Sequence, residues 1–248
     1  MSDIRDFQTR TANVAGVRTD ADIDQGLRAY MLKVYNLMAL GVALTGLVAY
    51  FVAEAAFTNG QINGLGQAIY ASPLRWVVIL APLAPVLFLS FGIERMSAFT
   101  AQLLFWVYAG LVGLSLSTVF VVYTNASIVQ TFAVTAASFA ALSLYGYTTK
   151  RSLSAMGSFM MMGLFGLIIA SLVNLFLQSS ALDFAISAIG VLVFAGLTAW
   201  DTQKIKEMYL ESAGGEAINK MAIMGALNLY MDFINLFLFL LRFMGNRE

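Results

Sequence analysis

ALDFAISAIGVLVFAGLTAWD at residues 181–201 and MAIMGALNLYMDFINLFLFLLRF at residues 221–243 decide the fold. Each run is long enough to cross a bilayer, because a membrane helix needs about 20 predominantly apolar residues. The first ends in Asp201 and the second carries Asp232 near its middle. An ionised carboxylate at mid-membrane is costly, so it marks either a function or a buried partner. The two runs therefore read as a pair of membrane helices that the earlier part of the chain surrounds.

Composition outside the pair points the same way. Of 248 residues, 60% are hydrophobic and 11% charged, and the mean hydropathy is +0.79. A soluble domain carries about 25% charged residues, so this chain lacks the polar surface to cover itself and turns most of its outside to lipid. Its 14 basic and 14 acidic residues balance to +0, which gives no nucleic-acid footprint. There is no Cys and no His. Disulfides, thiol nucleophiles, haem ligation through His or Cys and the usual zinc sites are excluded, and any pH response falls to carboxylates.

Residues 1–25 read as a flexible cytoplasmic tail, and residues 26–248 as an all-α integral membrane domain of seven helices. The polar start lacks the apolar core of a cleaved signal peptide, and a helix is expected from about Gln25. The spans fall near residues 31–52, 74–93, 100–122, 128–147, 155–177, 183–201 and 221–243. Pro82 and Pro85 should bend the second, since proline frees backbone carbonyls and favours kinks. Gly110, Gly113, Ser115 and Ser117 suit close helix packing in the third. Residues 55–72, rich in Asn and Gly, read as a loop, and Gly214 and Gly215 break the helix that extends past Asp201.

Lys and Arg cluster on one set of ends: Arg28 and Lys33, Arg95, Lys150 and Arg151, then Lys204, Lys206 and Lys220. That bias puts the N-terminus in the cytoplasm, and seven crossings put the C-terminus outside. A re-entrant last segment is the alternative, because Asn228, Asp232 and Asn235 dilute its apolar run, but its length favours a full crossing. Trp76, Trp200, Tyr30, Tyr145 and Tyr147 lie near expected helix ends and read either as an interfacial aromatic belt or as packing inside the bundle.

Asp232 is the sharpest functional candidate. Asn228 and Asn235 share its helical face at four- and three-residue spacing, and such a stripe must face the bundle interior or a water cavity. The plainer reading is a polar network that fixes packing. Asp201 either ends its span at the interface or continues a helix toward Asp232. If the two helices are neighbours, the carboxyls come close enough to share a proton. When protonated the pair is held by a hydrogen bond; when deprotonated it repels and attracts a cation. The same oxygens, with nearby Asn groups and water, would make a weak transit site for Ca²⁺, which takes six to eight oxygen ligands. Arg95, on the side of Asp201, is a candidate latch or simply a positive-inside anchor. No Walker loop, dinucleotide fingerprint or HExxH is present, and AWD and YMD do not reproduce the YD and GxGD pair of intramembrane aspartyl proteases. We expect no enzyme activity and no tightly bound cofactor.

ALNLYMDFINLFLFLLRF (226–243), LTAWDTQKIKEMY (197–209) and RMSAFTAQLLFWVYAGLVGLSLS (95–117) closely resemble segments of the Bax inhibitor-1, or transmembrane Bax inhibitor motif, family. The hydrophobic layout extends the resemblance over nearly the whole chain, and a bacterial branch is expected. The resemblance implies a seven-helix bundle with a central last helix, and a pH-sensitive passive Ca²⁺ leak across the inner membrane, with Asp201 and Asp232 at the family's dyad positions and Arg95 at its latch. It also implies an alternative, a non-transporting regulator that binds membrane partners such as a quality-control protease.

Overall fold

The computed structural model describes residues 20–58, 61–211 and 214–246. Seven of its helices or helix pairs are long and apolar enough to cross a membrane. The first span is α1 (Asp20–Ala55), and a broken second span follows, α2 (Leu74–Leu80) and α3 (Leu83–Gly92). The third is also broken, into α4 (Ala98–Leu116) and α5 (Val119–Val122). Four single helices complete the bundle: α6 (Asn125–Thr148), α7 (Ser154–Leu177), α8 (Ser180–Glu211) and α9 (Gly215–Met244). The last segment is thus a full-length helix, and no re-entrant turn interrupts it.

Helix α1 begins at Asp20, five residues before the expected start at Gln25. The remainder of the expected tail, residues 1–19, lies outside the described residues. The second span breaks at Ala81 and Pro82, as its prolines require. The break in the third span has a different cause. The Ser117 hydroxyl donates to the Leu114 carbonyl at 2.7 Å and accepts from Tyr70 at 3.0 Å. A side chain that competes for a helix carbonyl in this way disturbs the regular ladder.

Residues 55–72 hold more structure than a loop. Strands β1 (Phe57–Thr58) and β2 (Gln61–Ile62) pair antiparallel. Asn63 pins them by donating to the Ala55 carbonyl (2.8 Å) and to the Thr58 hydroxyl (3.1 Å). A π-helical turn, Gln67–Ala71, leads into α2.

Helix α9 is the axis of the bundle. It packs against α1, α4, α6 and α8, and 61% of its apolar window is buried, against 6% for α7. Leu227, Leu229 and Tyr230 are wholly buried on it. Close approach between helices rests on glycine at two places. A Cβ at Gly113 would run into the Thr45 carbonyl of α1, and one at Gly146 into the Ala199 carbonyl of α8. Gly113 is therefore the member of the small-residue series that admits a neighbouring helix; Gly110 faces open space.

The aromatic residues divide. Trp76 and Tyr145 are exposed on the lipid side, but Tyr30 is buried and stacks on Tyr209 at 5.2 Å. Tyr30 belongs to the core and not to a belt. Trp200 packs over Gly157, with the Lys204 ammonium 5.1 Å from its ring centre.

Candidate functional site

Asp201 on α8 and Asp232 on α9 meet. The two helices pack as neighbours, and the carboxyl groups are in hydrogen-bonding contact. Ionised carboxylates only accept, so this contact requires one of the pair to carry a proton. Asp232 is 4% exposed, and no N–H or O–H donor from a neighbouring residue reaches its Oδ2. Asp201 is half-buried, and Lys204, one turn further on, is the cation whose field reaches it. The site thus has an inner carboxyl sealed in the core and an outer one nearer the Lys-rich end.

The end of α8 that carries Asp201 is tied down by side chains that no motif announces. Thr202 donates to the Thr198 carbonyl (2.8 Å) and lies 3.1 Å from the Ser143 hydroxyl of α6. Gln203, nearly buried, accepts from the Leu153 amide (2.7 Å) and donates to the Arg151 carbonyl (2.9 Å). Lys206 reaches the Tyr147 carbonyl at 2.8 Å. These contacts clamp α8 to the turn between α6 and α7. In the sequence they sit in a stretch that reads as an amphipathic interfacial extension. Gln203, following Asp201 at two residues, was the one neutral long polar side chain there that could have signalled a link to backbone.

On α9, Asp232 is held between two different environments. Tyr230 is fully buried, and its hydroxyl lies 2.6 Å from that of Thr45. Thr45 donates its own proton to the Ala109 carbonyl at 2.9 Å, so Tyr230 is the donor between the two hydroxyls. This chain of bonds joins α9, α1 and α4. Beyond Asp232, Phe233 meets Phe139 and Phe132 edge-on, at 5.4 and 5.6 Å. The aromatic cluster closes the core toward the far end of α9.

The other expected site residues stand apart from the pair. The Asn235 amide donates to the Met231 carbonyl of its own helix at 2.8 Å and borders a side groove with Leu167 and Ser171. Asn228 is half-buried, and among the described residues no hydrogen bond joins either Asn to a carboxyl. Arg95 lies exposed in the turn between α3 and α4. The ion pairs among the described residues are Lys220–Glu216 and Arg242–Asp183, at 3.9 and 3.7 Å. Among the described residues no ion pair joins Arg95 to Asp201 in this conformation, and Lys220 reaches the Glu94 carbonyl beside Arg95 at 3.4 Å. Asp183 is the partner of Arg242 across the start of α8 and the end of α9.

No group of three or more His, Cys, Asp or Glu side chains comes together among the described residues. The pair alone falls short of the six to eight oxygens that calcium takes. Backbone carbonyls or water would have to supply the others.

Comparison with known proteins covers most of the chain. The family described as Inhibitor of apoptosis-promoting Bax1 matches residues 27–248. An uncharacterized protein of Rickettsia prowazekii, RP147, is 53% identical over 225 residues, 91% of this chain and 92% of its own length. The inner membrane protein YbhL of Escherichia coli is 48% identical over 231 residues, 90% of this chain and 94% of its own. An uncharacterized protein of Caulobacter vibrioides is 46% identical over 235 residues, covering 93% and 94%.

Proposed function

The chain belongs to the Bax inhibitor-1 family, and from that premise we propose that it is a multi-pass protein of the bacterial inner membrane that passes Ca²⁺ passively under the control of pH. Its N-terminus lies in the cytoplasm and its C-terminus outside. It is not an enzyme and keeps no tightly bound cofactor; Ca²⁺ is cargo, and protons set the gate.

The observation that carries this reading is the contact between Asp201 and Asp232 in the middle of a closed bundle. While a proton is shared, the carboxyls hold α8 against α9 and the aromatic cluster around Phe233 stays shut. Raising the pH removes that proton, and two negative charges then repel at short range. The same charges draw a cation toward the gap. The stabilising contact is present at low pH and lost as pH rises, so the leak increases with pH. Ca²⁺ entry into liposomes carrying the purified protein tests this. Flux above that of protein-free liposomes, rising with pH, is expected. No flux at any pH overturns the channel reading.

The rival reading, a regulator that acts by binding membrane partners, draws on the exposed residues flanking the turn between α8 and α9, including Lys204, Glu207 and Glu216. Loss of a co-purifying partner on changing these residues, with both Asp residues untouched and no flux, would favour it.

A further inference from the structure

A sizeable groove lies away from the carboxyl pair. It measures about 520 Å³ and lies between α1 and α6, with walls that include Arg28, Leu32, Tyr35, Ala140, Ser143 and Tyr147. Leu32 and Leu144 on its rim are 53% and 63% exposed, so it opens sideways into the membrane. Along α1 it extends from Arg28 to Met38. Ten residues of helix rise about 15 Å, half of a hydrocarbon core about 30 Å thick. The groove therefore has the length of one leaflet, and its Arg28 end stands at the level of lipid headgroups.

Its chemistry is graded in the same direction. Met38 and Phe139 line the deep end. The polar groups on the floor are satisfied within the protein: the Tyr35 hydroxyl lies against Ser143 and Thr202, whose hydroxyls are 3.1 Å apart. A hydrocarbon chain lying over them would orphan no donor, which is the condition for polar groups facing lipid. At the shallow end Arg28 is exposed, and the Lys206 ammonium is held on Tyr147. Neither cation pairs with a carboxylate among the described residues. Each Lys or Arg near the surface of an anionic membrane contributes about 1 kcal/mol of attraction.

We propose that this groove seats one acyl chain of an anionic phospholipid, with its headgroup phosphate on Arg28. A zwitterionic lipid could fill the apolar part but would set its own positive charge near the two cations. This lipid seat is independent of ion transport and stands whether or not the protein passes Ca²⁺.

The test is a titration of the purified full chain in neutral detergent, read by native mass spectrometry. The probes are phosphatidylglycerol, phosphatidylcholine with the same chains, and glycerol 3-phosphate. Phosphatidylglycerol should bind as one retained adduct at least tenfold more tightly than phosphatidylcholine. Arg28→Glu should abolish that preference and Arg28→Lys should keep most of it. Ala140→Phe should weaken the adduct about tenfold by filling the groove. Both sites are exposed, and unchanged helicity and gel-filtration behaviour would establish that the variants fold. Equal binding of the two lipids, an adduct unaffected by both Arg28→Glu and Ala140→Phe, or displacement by glycerol 3-phosphate at lipid concentration would each overturn the proposal.

Discussion

Helices α7 and α9 both cross the bundle, yet the more apolar of the two is on the outside. Only 6% of the α7 window is buried, whereas 61% of the α9 window is. In water the opposite order would hold. In lipid, apolar surface has no reason to hide, and polar groups seek protein partners instead. Helix α9 carries Asn228, Tyr230, Asp232 and Asn235, and this is why it lies at the centre while the Phe- and Leu-rich face of α7 meets the bilayer. The difference teaches that position in this bundle is set by the few polar side chains a helix must satisfy.

The sharpest way to break the comparison is to make the same change on both helices. Leu229 on α9 is wholly buried and Leu175 on α7 is 69% exposed. Leu229→Ala should cost about 2–5 kcal/mol through the cavity it leaves. Leu175→Ala should stay within about 0.5 kcal/mol, as exposed substitutions do. Denaturation in mixed micelles, followed by circular dichroism, measures both; equal losses would remove the distinction between the helices.

Gln203→Ala comes next. It leaves the Leu153 amide and the Arg151 carbonyl without their partner, and an unsatisfied buried group costs about 1–3 kcal/mol. Hydrogen exchange at the turn after α6 should accelerate, while exchange in α7 stays as it was. Tyr230→Phe removes the hydroxyl that donates to Thr45 but leaves the Thr45 bond to Ala109 in place. The expected loss is about 1 kcal/mol by the same denaturation. The smallest effect belongs to Arg242→Ala. Its ion pair with Asp183 is 43% and 37% exposed on its two sides, so the change should cost below about 1 kcal/mol and less at high salt.

Much of this was legible in the sequence because the signals were local. Seven apolar runs became seven spans, Pro82 broke the second, and Gly214 separates α8 from α9 with a positive φ of 125°. The cost of charge in lipid singled out Asp232, whereas its pairing with Asp201 was conditional on the last two helices being neighbours and was otherwise what the family resemblance implied. Other features depend on partners far away in the chain. Gln203 could signal a bond to some backbone, but not which one: its partners lie 50 and 52 positions earlier. Tyr30 reads equally as interfacial or as bundle packing until Tyr209 is seen stacked on it. Ser117 interrupts a span because Tyr70 and Leu114 reach its hydroxyl.

The most direct test of the account is Ca²⁺ flux against pH in liposomes holding the parent, Asp201→Asn, Asp232→Asn and the double variant, each checked for folding and insertion. Asn keeps size and hydrogen bonding but does not titrate. The account predicts a parental flux that rises with pH, a flattened response in each single variant, and little further change in the double, because residues acting as one unit are not additive. Retention of the parental pH curve by both single variants would contradict it.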